Sequence, residues 1–421
     1  MNIFFSGIGG VGIGPLAEIA HDMGHQVAGS DMYDSLTTAE LRRVGIDVHI
    51  GQDGSFLEDS HNHTNIDWYV YTAALPADHP ELTKARQLGI HTAKRDELLA
   101  HLIKEKDLKL IAISGTHGKT TTTGMAVWTL QQLGVPVSYS VGSTLSFGPS
   151  GHYDTDSEYF VYECDEFDRN FLHFQPHLSL LTAVDYDHPD TYPTEESYIE
   201  AFQTFINQSA DTILWRRDAD YLSVDDHSGI QILDESYTYN FDLPGDHNRR
   251  NATLVLEACR QLGLASDNRI IDSLNNFPGT DRRFQKLADN LFSDYGHHPK
   301  EIVATLQLAR EVANKIALVY QPHQNIRQHE LLGQYKDEFN QADVVYWLPT
   351  YLSRENPDLE ILSPEQLIAS IPQRDHIKIA DLDNDLWAEI QKLRQRDYLV
   401  LCMGAGTIDG WVRQKLAEPT A

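Results

Sequence analysis

The stretch that decides the interpretation of this chain is residues 112–123, which read Ala-Ile-Ser-Gly-Thr-His-Gly-Lys-Thr-Thr-Thr-Thr. It follows an apolar run, residues 110–113, and precedes a helix-like segment, residues 124–133. A glycine turn between a strand and a helix cradles phosphates, because backbone N–H groups and the positive helix end point at the anion. Ile113 replaces the usual first glycine, so the stretch predicts a variant of the phosphate-binding loop rather than a simple turn.

Two side chains of this loop have functional groups suited to binding a nucleotide and its metal ion. Lys119 can reach the outer phosphates of a nucleotide, and the hydroxyl of Thr120 can ligate Mg²⁺. The sequence therefore predicts nucleotide binding with a magnesium ion.

The composition indicates a cytoplasmic enzyme. A chain of 421 residues is expected to form two or three domains. No apolar run is long enough to span a bilayer, and the first residues read as a strand rather than a secretory signal. The 3 cysteines are widely spaced, which predicts neither a disulfide framework nor a metal knuckle.

The chain is strongly acidic, with a formal net charge of −29. Nucleic acids and anionic membranes repel such a surface, so neither is expected as a partner. Binding of anionic phosphates must then depend on local cations and helix N-termini that overcome the overall field.

A second glycine loop lies at the start of the chain. Residues 2–6 read as a strand and residues 15–23 as a helix, with Gly7, Gly9 and Gly12 between them. A following strand, residues 26–29, ends at Ser30 and Asp31. This is the G-x-G-x-x-G fingerprint, and it fits a dinucleotide and a nucleotide-sugar equally well because both need a diphosphate at a helix N-terminus.

Acidic residues follow two apolar strands of the middle region. Residues 159–162 lead into Glu163, and residues 178–184 lead into a segment that includes His188. Carboxylate and imidazole ligands suit Mg²⁺ beside a phosphate, although such acids can also cap the following segments. Further along, Arg282 and Arg283 follow a glycine turn and could clamp a transferring phosphoryl group. A third α/β unit then follows.

Nine motifs in this order resemble the Mur ligase family, and the resemblance covers nearly the whole chain. They are Gly7-Ile8-Gly9-Gly10-Val11-Gly12, Gly115-Thr116-His117-Gly118-Lys119-Thr120-Thr121-Thr122-Thr123, Glu163-Cys164-Asp165-Glu166, Asp187-His188-Pro189-Asp190, Pro244-Gly245-Asp246-His247-Asn248, Arg282-Arg283-Phe284, Asp294-Tyr295-Gly296-His297-His298-Pro299, Gln321-Pro322-His323 and Gly404-Ala405-Gly406.

The resemblance implies an α/β protein of three domains. These are a Rossmann-like UDP-sugar-binding domain (1–106), a central P-loop ATPase-like domain (107–281) and a Rossmann-like amino-acid-binding domain (282–421). The implied activity is ATP-dependent amide ligation in peptidoglycan precursor synthesis, through an acyl phosphate. The most similar branch joins L-alanine to UDP-N-acetylmuramate, and we expect a monomer or a homodimer.

The resemblance also implies roles for individual residues. UDP-sugar binding is expected at Gly9, Gly10, Gly12, Ser30, Asp31 and Thr72. ATP binding is expected at Gly115, Thr116, His117, Gly118, Lys119, Thr120, Thr121, Asn248, Arg283 and Asp294. Metal binding is expected at Thr120, Glu163 and His188, and amino-acid binding at Tyr295, His297 and Arg327. Lys119, Glu163, His188 and Arg283 are the implied catalytic residues.

Two departures from the family pattern leave the acceptor open. Gln324 stands where an arginine often follows the Gln-Pro-His motif, and residues 348–351 replace the usual acidic run. Glycine or serine is therefore an alternative to L-alanine. Sibling ligases carry a carbamylated lysine that residues 198–202 lack, which favours the L-alanine branch.

Three rival functions follow from the same motifs. One is a ligase that attaches a recycled tripeptide to the same UDP-sugar, against which the intact first glycine loop argues. An NAD-dependent oxidoreductase would leave residues 115–123 unexplained. A catalytically silent UDP-sugar sensor would have no need of the phosphoryl-transfer residues.

Overall fold

The computed structural model of the chain describes residues 1–72, 75–188, 191–225, 228–236, 239, 241–353 and 355–418. Over these residues the strands form three sheets of five, seven and six strands. Helices alternate with most of the strands, which confirms the predicted α/β class. Pro189 and Asp190 of the fourth motif lie outside the described residues.

The first sheet is parallel throughout. Its strands are β1 (Asn2–Ser6), β2 (Gln26–Asp31), β3 (Asp47–Ile50), β4 (Trp68–Tyr71) and β5 (His91–Lys94), in the order β3-β2-β1-β4-β5. Its helices are α1 (Gly14–Asp22), α2 (Leu36–Arg43), α3 (Ser55–Thr64), α4 (Pro80–Gln87) and α5 (Arg95–Glu105). Ile3 and Phe5 of β1 join one buried cluster and Phe4 joins another, because alternate side chains of a strand face opposite sides. Both faces of this sheet are therefore covered.

The second sheet follows in the middle of the chain. Its strands are β6 (Lys109–Ser114), β7 (Val137–Ser140), β8 (Gly151–His152), β9 (Tyr159–Glu163), β10 (Leu178–Leu181), β11 (Asp211–Trp215) and β12 (Ile230–Leu233), in the order β12-β11-β10-β6-β9-β7-β8. The helices here are α6 (Lys119–Leu133), α7 (Glu195–Gln208) and α8 (Arg216–Tyr221), with a 3-10 helix at Phe167–His173. The strands are parallel except for β8, which pairs antiparallel with β7. The central strand β6 lies between β10 and β9, so the carboxyl ends of all three meet at one edge.

Two helices follow before the third sheet, α9 (Asp246–Gln261) and α10 (Asp267–Asn275). Helix α9 begins at Asp246, inside the motif Pro244-Gly245-Asp246-His247-Asn248. Among the helices that the structure describes, none combines the length and the apolar composition needed to cross a bilayer.

The third sheet completes the chain. Its strands are β13 (Gln285–Ala288), β14 (Leu291–Asp294), β15 (Ile316–Tyr320), β16 (Val344–Trp347), β17 (Ile377–Ile379) and β18 (Leu399–Met403), in the order β13-β14-β18-β15-β16-β17. Its helices are α11 (Pro299–Val312), α12 (Asn325–Leu331), α13 (Pro364–Ala369), α14 (Asn384–Gln395) and α15 (Ile408–Ala417). Only β13, at the edge, pairs antiparallel.

The chain divides into two compact units. The first comprises Met1–Tyr239 and Asn251–Phe277 and contains the first two sheets, whereas the second comprises Asn240–Arg250 and Pro278–Ala421 and contains the third sheet. The boundaries predicted for three domains, 1–106, 107–281 and 282–421, stay a prediction.

Candidate active site

The phosphate loop connects β6 to α6, as its sequence predicted. Gly115 and Gly118 adopt positive φ values of +130° and +86°. A Cβ atom on Gly115 would lie 2.5 Å from Oγ1 of Thr182 and 2.8 Å from the carbonyl oxygen of Ala183. Glycine at position 115 is therefore required by both the backbone conformation and the lack of space.

The loop is fastened to the segment that follows β10. The N–H of Thr116 donates to the carbonyl of Ala183 at 2.7 Å, and its hydroxyl lies 2.7 Å from the carbonyl oxygen of Asp185 and 2.7 Å from the hydroxyl of Tyr198. The hydroxyl of Thr182 donates to the carbonyl of His117. Thr116 and His117, both predicted to bind ATP, thus hold the loop in shape from its two sides.

Lys119, the first residue of α6, is mostly buried. Its ammonium donates to Oε2 of Glu166 at 2.6 Å and to the carbonyl of Gly115 at 2.7 Å. Asp165 lies 3.5 Å away. Burial disfavours the charged lysine, but Glu166 and Asp165 outweigh burial and raise the pKa of Lys119 above its usual value. Lys119 is therefore a cation held beside the loop.

Glu166 has no solvent-exposed side-chain surface. Burial raises the pKa of Glu166, although Lys119 acts in the opposite direction. Among the described residues, its Oε1 has no hydrogen-bond partner. Nε2 of His188 lies 3.7 Å from that oxygen. Without the Lys119 cation, the burial that favours the neutral carboxyl would be less opposed.

Glu163, the last residue of β9, faces the start of α6. Its Oε1 accepts a hydrogen bond from the hydroxyl of Thr120 at 2.9 Å, and its Oε2 accepts one from the N–H of Gly142 at 2.9 Å. The structure thus brings together two of the residues predicted to bind metal, Thr120 and Glu163.

His188, the third predicted metal ligand, has a left-handed backbone with φ of +58°. Its ring packs edge-on against Phe167, with the ring centroids 5.1 Å apart, and reaches towards Glu166. Within the described part of the chain, no group of three or more His, Cys, Asp or Glu side chains is arranged to hold a metal ion. The donors that suit Mg²⁺ are the oxygens of Thr120 and Glu163.

The first glycine loop follows β1. The N–H groups of Gly7 and Ile8 donate to the carbonyl of Ser30, and the N–H of Gly9 donates to Oδ2 of Asp31 at 2.8 Å. Asp31 therefore places a negative charge directly on the loop. Thr72, after β4, lies beside the same loop, since a Cβ on Gly7 would be 3.6 Å from its methyl group.

Arg95 is a residue of this region that sequence reasoning missed. It is the first residue of α5, and a Cβ at Gly12 would lie 2.5 Å from its Nη1. No glycine or phosphate motif marks position 95, so only the meeting of β5 with the first loop reveals it. Glu166 was missed for a different reason. It belongs to the acidic motif Glu163-Cys164-Asp165-Glu166, but no function was predicted for it.

Asp294 is the centre of the predicted site in the second unit. It ends β14 and is 5% exposed. Its Oδ2 accepts the N–H of Phe284 and its Oδ1 accepts the N–H of Gly296, both at 2.7 Å. Burial raises the pKa of Asp294 to about 6, with Arg283 acting in the opposite direction. The acid thereby fixes the turn that presents Arg283.

Tyr295, His297 and Arg283 cluster around this acid. The guanidinium carbon of Arg283 lies 5.3 Å from the centre of the Tyr295 ring, and that of Arg282 lies 4.6 Å from it. Burial lowers the pKa of His297, and Arg327 and Arg283 lower it further while Glu301 acts in the opposite direction. The predicted amino-acid-binding residues Tyr295, His297 and Arg327 therefore share one region.

Asn248 lies in the turn that begins α9. Its amide donates to the carbonyl of Pro244 at 2.9 Å. Burial lowers the pKa of the adjacent His247 to about 4, and Arg283 contributes to that lowering. Asn248 therefore belongs to the same neighbourhood of the second unit as Arg283.

The chain is similar to known proteins over most of its length. Three family models match the chain: Mur ligase family, catalytic domain, at residues 2–107; Mur ligase middle domain at 113–228; and Mur ligase, glutamate ligase domain, at 282–406. A UDP-N-acetylmuramate–L-alanine ligase from Xanthobacter autotrophicus is 30% identical, over 97% of this chain and 95% of its own length.

Two solved structures are similar in fold. One is a UDP-N-acetylmuramate–alanine ligase from Thermotoga maritima, with a TM-score of 0.77 and 24% identity, covering 99% of this chain and 98% of that chain. The other is a murein peptide ligase from Psychrobacter arcticus, with a TM-score of 0.67 and 22% identity over the same shares.

The phosphate loop, the α/β sheets and the matches to three family-model domains indicate a nucleotide-binding α/β enzyme of three domains. The chain belongs to the Mur ligase family. The resemblance found in the sequence is thereby confirmed.

Proposed function

We propose that this chain joins L-alanine to the carboxylate of UDP-N-acetylmuramate, with ATP as the energy source, in peptidoglycan precursor synthesis. The observation that carries the proposal is the phosphate loop with Lys119 and Thr120 each held by an acid, in a chain that matches an L-alanine ligase over 97% of its length. A carboxylate acylates poorly, so it must first be activated. Transfer of a phosphoryl group from ATP supplies that activation.

The reaction has two steps. The muramyl carboxylate attacks the γ-phosphate of ATP, the bond from that phosphate to ADP breaks, and an acyl phosphate forms. The amine of L-alanine then attacks the acyl carbon, and phosphate leaves the tetrahedral intermediate as the amide forms. The amine gives up a proton in this second step.

Cations must surround the charge that moves in the first step. Lys119 supplies one when its ammonium leaves Glu166 for the phosphates, and the raised pKa of Glu166 lets that buried carboxyl take up a proton. Arg283, at the family position that contacts the γ-phosphate, supplies another. Asn248 and Asp294 are assigned to the adenosine part of ATP, and the backbone of Gly115, Thr116, His117, Gly118 and Thr121 to its phosphates.

Magnesium fits the donors beside the loop. Thr120 and Glu163 present oxygen atoms 2.9 Å apart, the ligand type that Mg²⁺ prefers, and His188 would add an imidazole nitrogen. A bound Mg²⁺ would neutralise charge on the phosphates.

The incoming amino acid is assigned to Tyr295, His297 and Arg327. Nδ1 of His297 lies 3.2 Å from the carbonyl oxygen of Tyr295, to which it can only donate. Nε2 is then the accepting nitrogen. Since burial lowers the pKa of His297, the imidazole is neutral near pH 7 and suited to accept the proton that the amine releases.

The UDP-sugar is assigned to the first glycine loop, with Gly9, Gly10 and Gly12 at the diphosphate. Ser30, Asp31 and Thr72 are assigned to the uridine side. We expect the reaction to take place in the cytoplasm and the enzyme to act as a monomer or a homodimer.

The test is phosphate release from ATP with UDP-N-acetylmuramate present, using L-alanine, glycine, L-serine and a tripeptide as acceptors. We expect release that depends on both the UDP-sugar and L-alanine, with the amide product detected by mass spectrometry. Phosphate release with only glycine or serine would show that this amino acid, and not L-alanine, is the acceptor. Release with only the tripeptide would identify a recycling ligase, and no release despite UDP-sugar binding would indicate a sensor.

A further inference from the structure

The first glycine loop has an electrostatic problem. Asp31 already occupies the N–H of Gly9 and brings a carboxylate to the loop. The whole chain carries a net charge of −29. A diphosphate that docks at Gly9, Gly10 and Gly12 would therefore meet repulsion unless a cation lies at the loop.

Arg95 is such a cation. The side chain of Arg95 is 31% exposed, so it remains accessible to a ligand. Its Nη1 occupies the space that a side chain at Gly12 would fill, which brings the guanidinium against the loop backbone. The missing side chain at position 12 is thus what allows this approach.

The guanidinium is incompletely paired. Its Nη2 lies 3.3 Å from both oxygens of Asp96, which is long for a charge-assisted hydrogen bond. Its Nε is buried and has no hydrogen-bond partner among the described residues. Arginine presents a planar fork of donors that suits phosphate oxygens, so this arrangement leaves donors for an anion.

The residues on either side of Arg95 hold its backbone in place. The hydroxyl of Tyr162 donates to buried Asp96, and the ammonium of Lys94 pairs with Asp168. Both partners belong to the region around β9, whereas Arg95 follows β5 of the first sheet. The guanidinium is therefore carried on a fixed backbone, which lowers the entropic cost of using it to bind a ligand.

We propose that Arg95 binds the diphosphate of the UDP-sugar at Gly12. The proposal rests on the assignment of the first glycine loop to that substrate. Arg95 offsets the charge of Asp31 and supplies a cation beside Gly12.

The test compares Arg95→Gln with the unchanged chain by calorimetric titration of UDP and of uridine. UDP carries the diphosphate without the sugar or its carboxylate, and uridine carries neither phosphate. We expect UDP binding to weaken about 10- to 100-fold, the range for loss of hydrogen bonds to a charged group, with uridine binding unchanged. In turnover, the KM for UDP-N-acetylmuramate should rise while the KM for ATP stays the same.

Two further variants isolate the role of the guanidinium. Arg43→Gln changes the net charge equally, but Arg43 is 70% exposed and pairs with Glu40 on the outside of α2. It should bind UDP like the unchanged chain. Arg95→Lys keeps the charge without the fork and should recover part of the affinity. Thermal unfolding of each variant checks that the fold is intact.

Normal UDP affinity in folded Arg95→Gln would overturn the proposal. Equal loss of UDP and uridine binding would also overturn it, because the role would then be structural. Weaker binding of UDP-N-acetylmuramate with normal UDP binding would indicate that Arg95 binds the sugar carboxylate and not the diphosphate. If UDP binding fell as expected but no acceptor supported phosphate release, the ligase function would fail while the Arg95 assignment stood.

Discussion

Glu166 and Asp294 are both buried carboxyl groups, but the protein stabilises them in different ways. Glu166 is paired with the ammonium of Lys119, a flexible side chain. Asp294 accepts two backbone N–H groups, those of Phe284 and Gly296, which cannot leave without unfolding the turn. The first acid can lose its partner to a ligand, whereas the second is part of the scaffold. Similar burial therefore does not mean an equal role.

The largest effect is expected at Lys119. Lys119→Ala removes the cation from the phosphate loop and should lower ATP turnover about 10³-fold or more, measured as phosphate release. The fold should survive, because the raised pKa of Glu166 allows that acid to become neutral when its partner is lost. Lys109→Ala, at a surface lysine paired with Glu158, is the matched control. Near-normal turnover in Lys119→Ala would remove the loop from the mechanism.

Asp294→Ala should test the scaffold role. The substitution leaves the N–H groups of Phe284 and Gly296 without their acceptor, at a cost of about 2–4 kcal/mol in the free energy of unfolding. Chemical denaturation measures this loss. Asp289→Asn, at an acid 94% exposed in the adjoining hairpin, should change stability by less than about 0.5 kcal/mol. If the two variants were equally stable, Asp294 would not be the element that holds the turn.

The pH dependence of stability sharpens the same comparison. The pKa of Asp294 is raised from 3.8 to about 6 in the folded state, so folding favours its protonated form. The contribution of Asp294 to the free energy of unfolding is fully present below about pH 3.8 and is lost as the pH rises through 6. The free energy of unfolding then changes by up to about 1.4 kcal/mol per pH unit. Plots of the denaturation midpoint against pH should therefore have different slopes for the unchanged chain and for Asp294→Asn between pH 4 and 6. Parallel profiles would contradict the raised pKa.

The smallest effect is expected at Glu166. This acid competes with phosphate for Lys119, so Glu166→Gln should tighten ATP binding about two- to tenfold, equivalent to roughly 0.5–1.5 kcal/mol. Calorimetric titration measures the affinity, and Glu158→Gln, at an exposed acid, is the control. Weaker ATP binding in Glu166→Gln would mean that the acid positions Lys119 rather than competing for it.

Elements with strong local patterns were predicted closely. The strand at Asn2–Ser6 has the predicted bounds, and the strand at Tyr159–Glu163 extends one residue beyond the predicted run 159–162, because short apolar runs between turn residues have few alternatives. Helix α6 was expected from Gly124 but begins at Lys119. The threonines that precede Gly124 have low helix propensity, and the fixed loop overrides it.

The site, too, has features that the sequence predicted and features that it could not predict. Lys119, Thr120, Glu163 and Asp294 lie at strand ends or helix starts that the motifs marked, so their neighbourhoods could be expected from the order of the chain. The pairing of Lys119 with Glu166 could not be predicted from the sequence, because both Asp165 and Glu166 of the same motif lie within reach of the ammonium. Their distances and burial decide between them.

The sequence by itself determined the α/β class, the two glycine loops and the family, because these depend on residue types at fixed short spacings. The tertiary structure decided which charges meet. Arg95 reaches Gly12 only because β5 and β1 end at the same edge of one sheet, with β4 between them, although more than eighty residues separate the two positions in the chain. Local spacing cannot encode such a contact, since it arises from strand order and from the space that a glycine leaves.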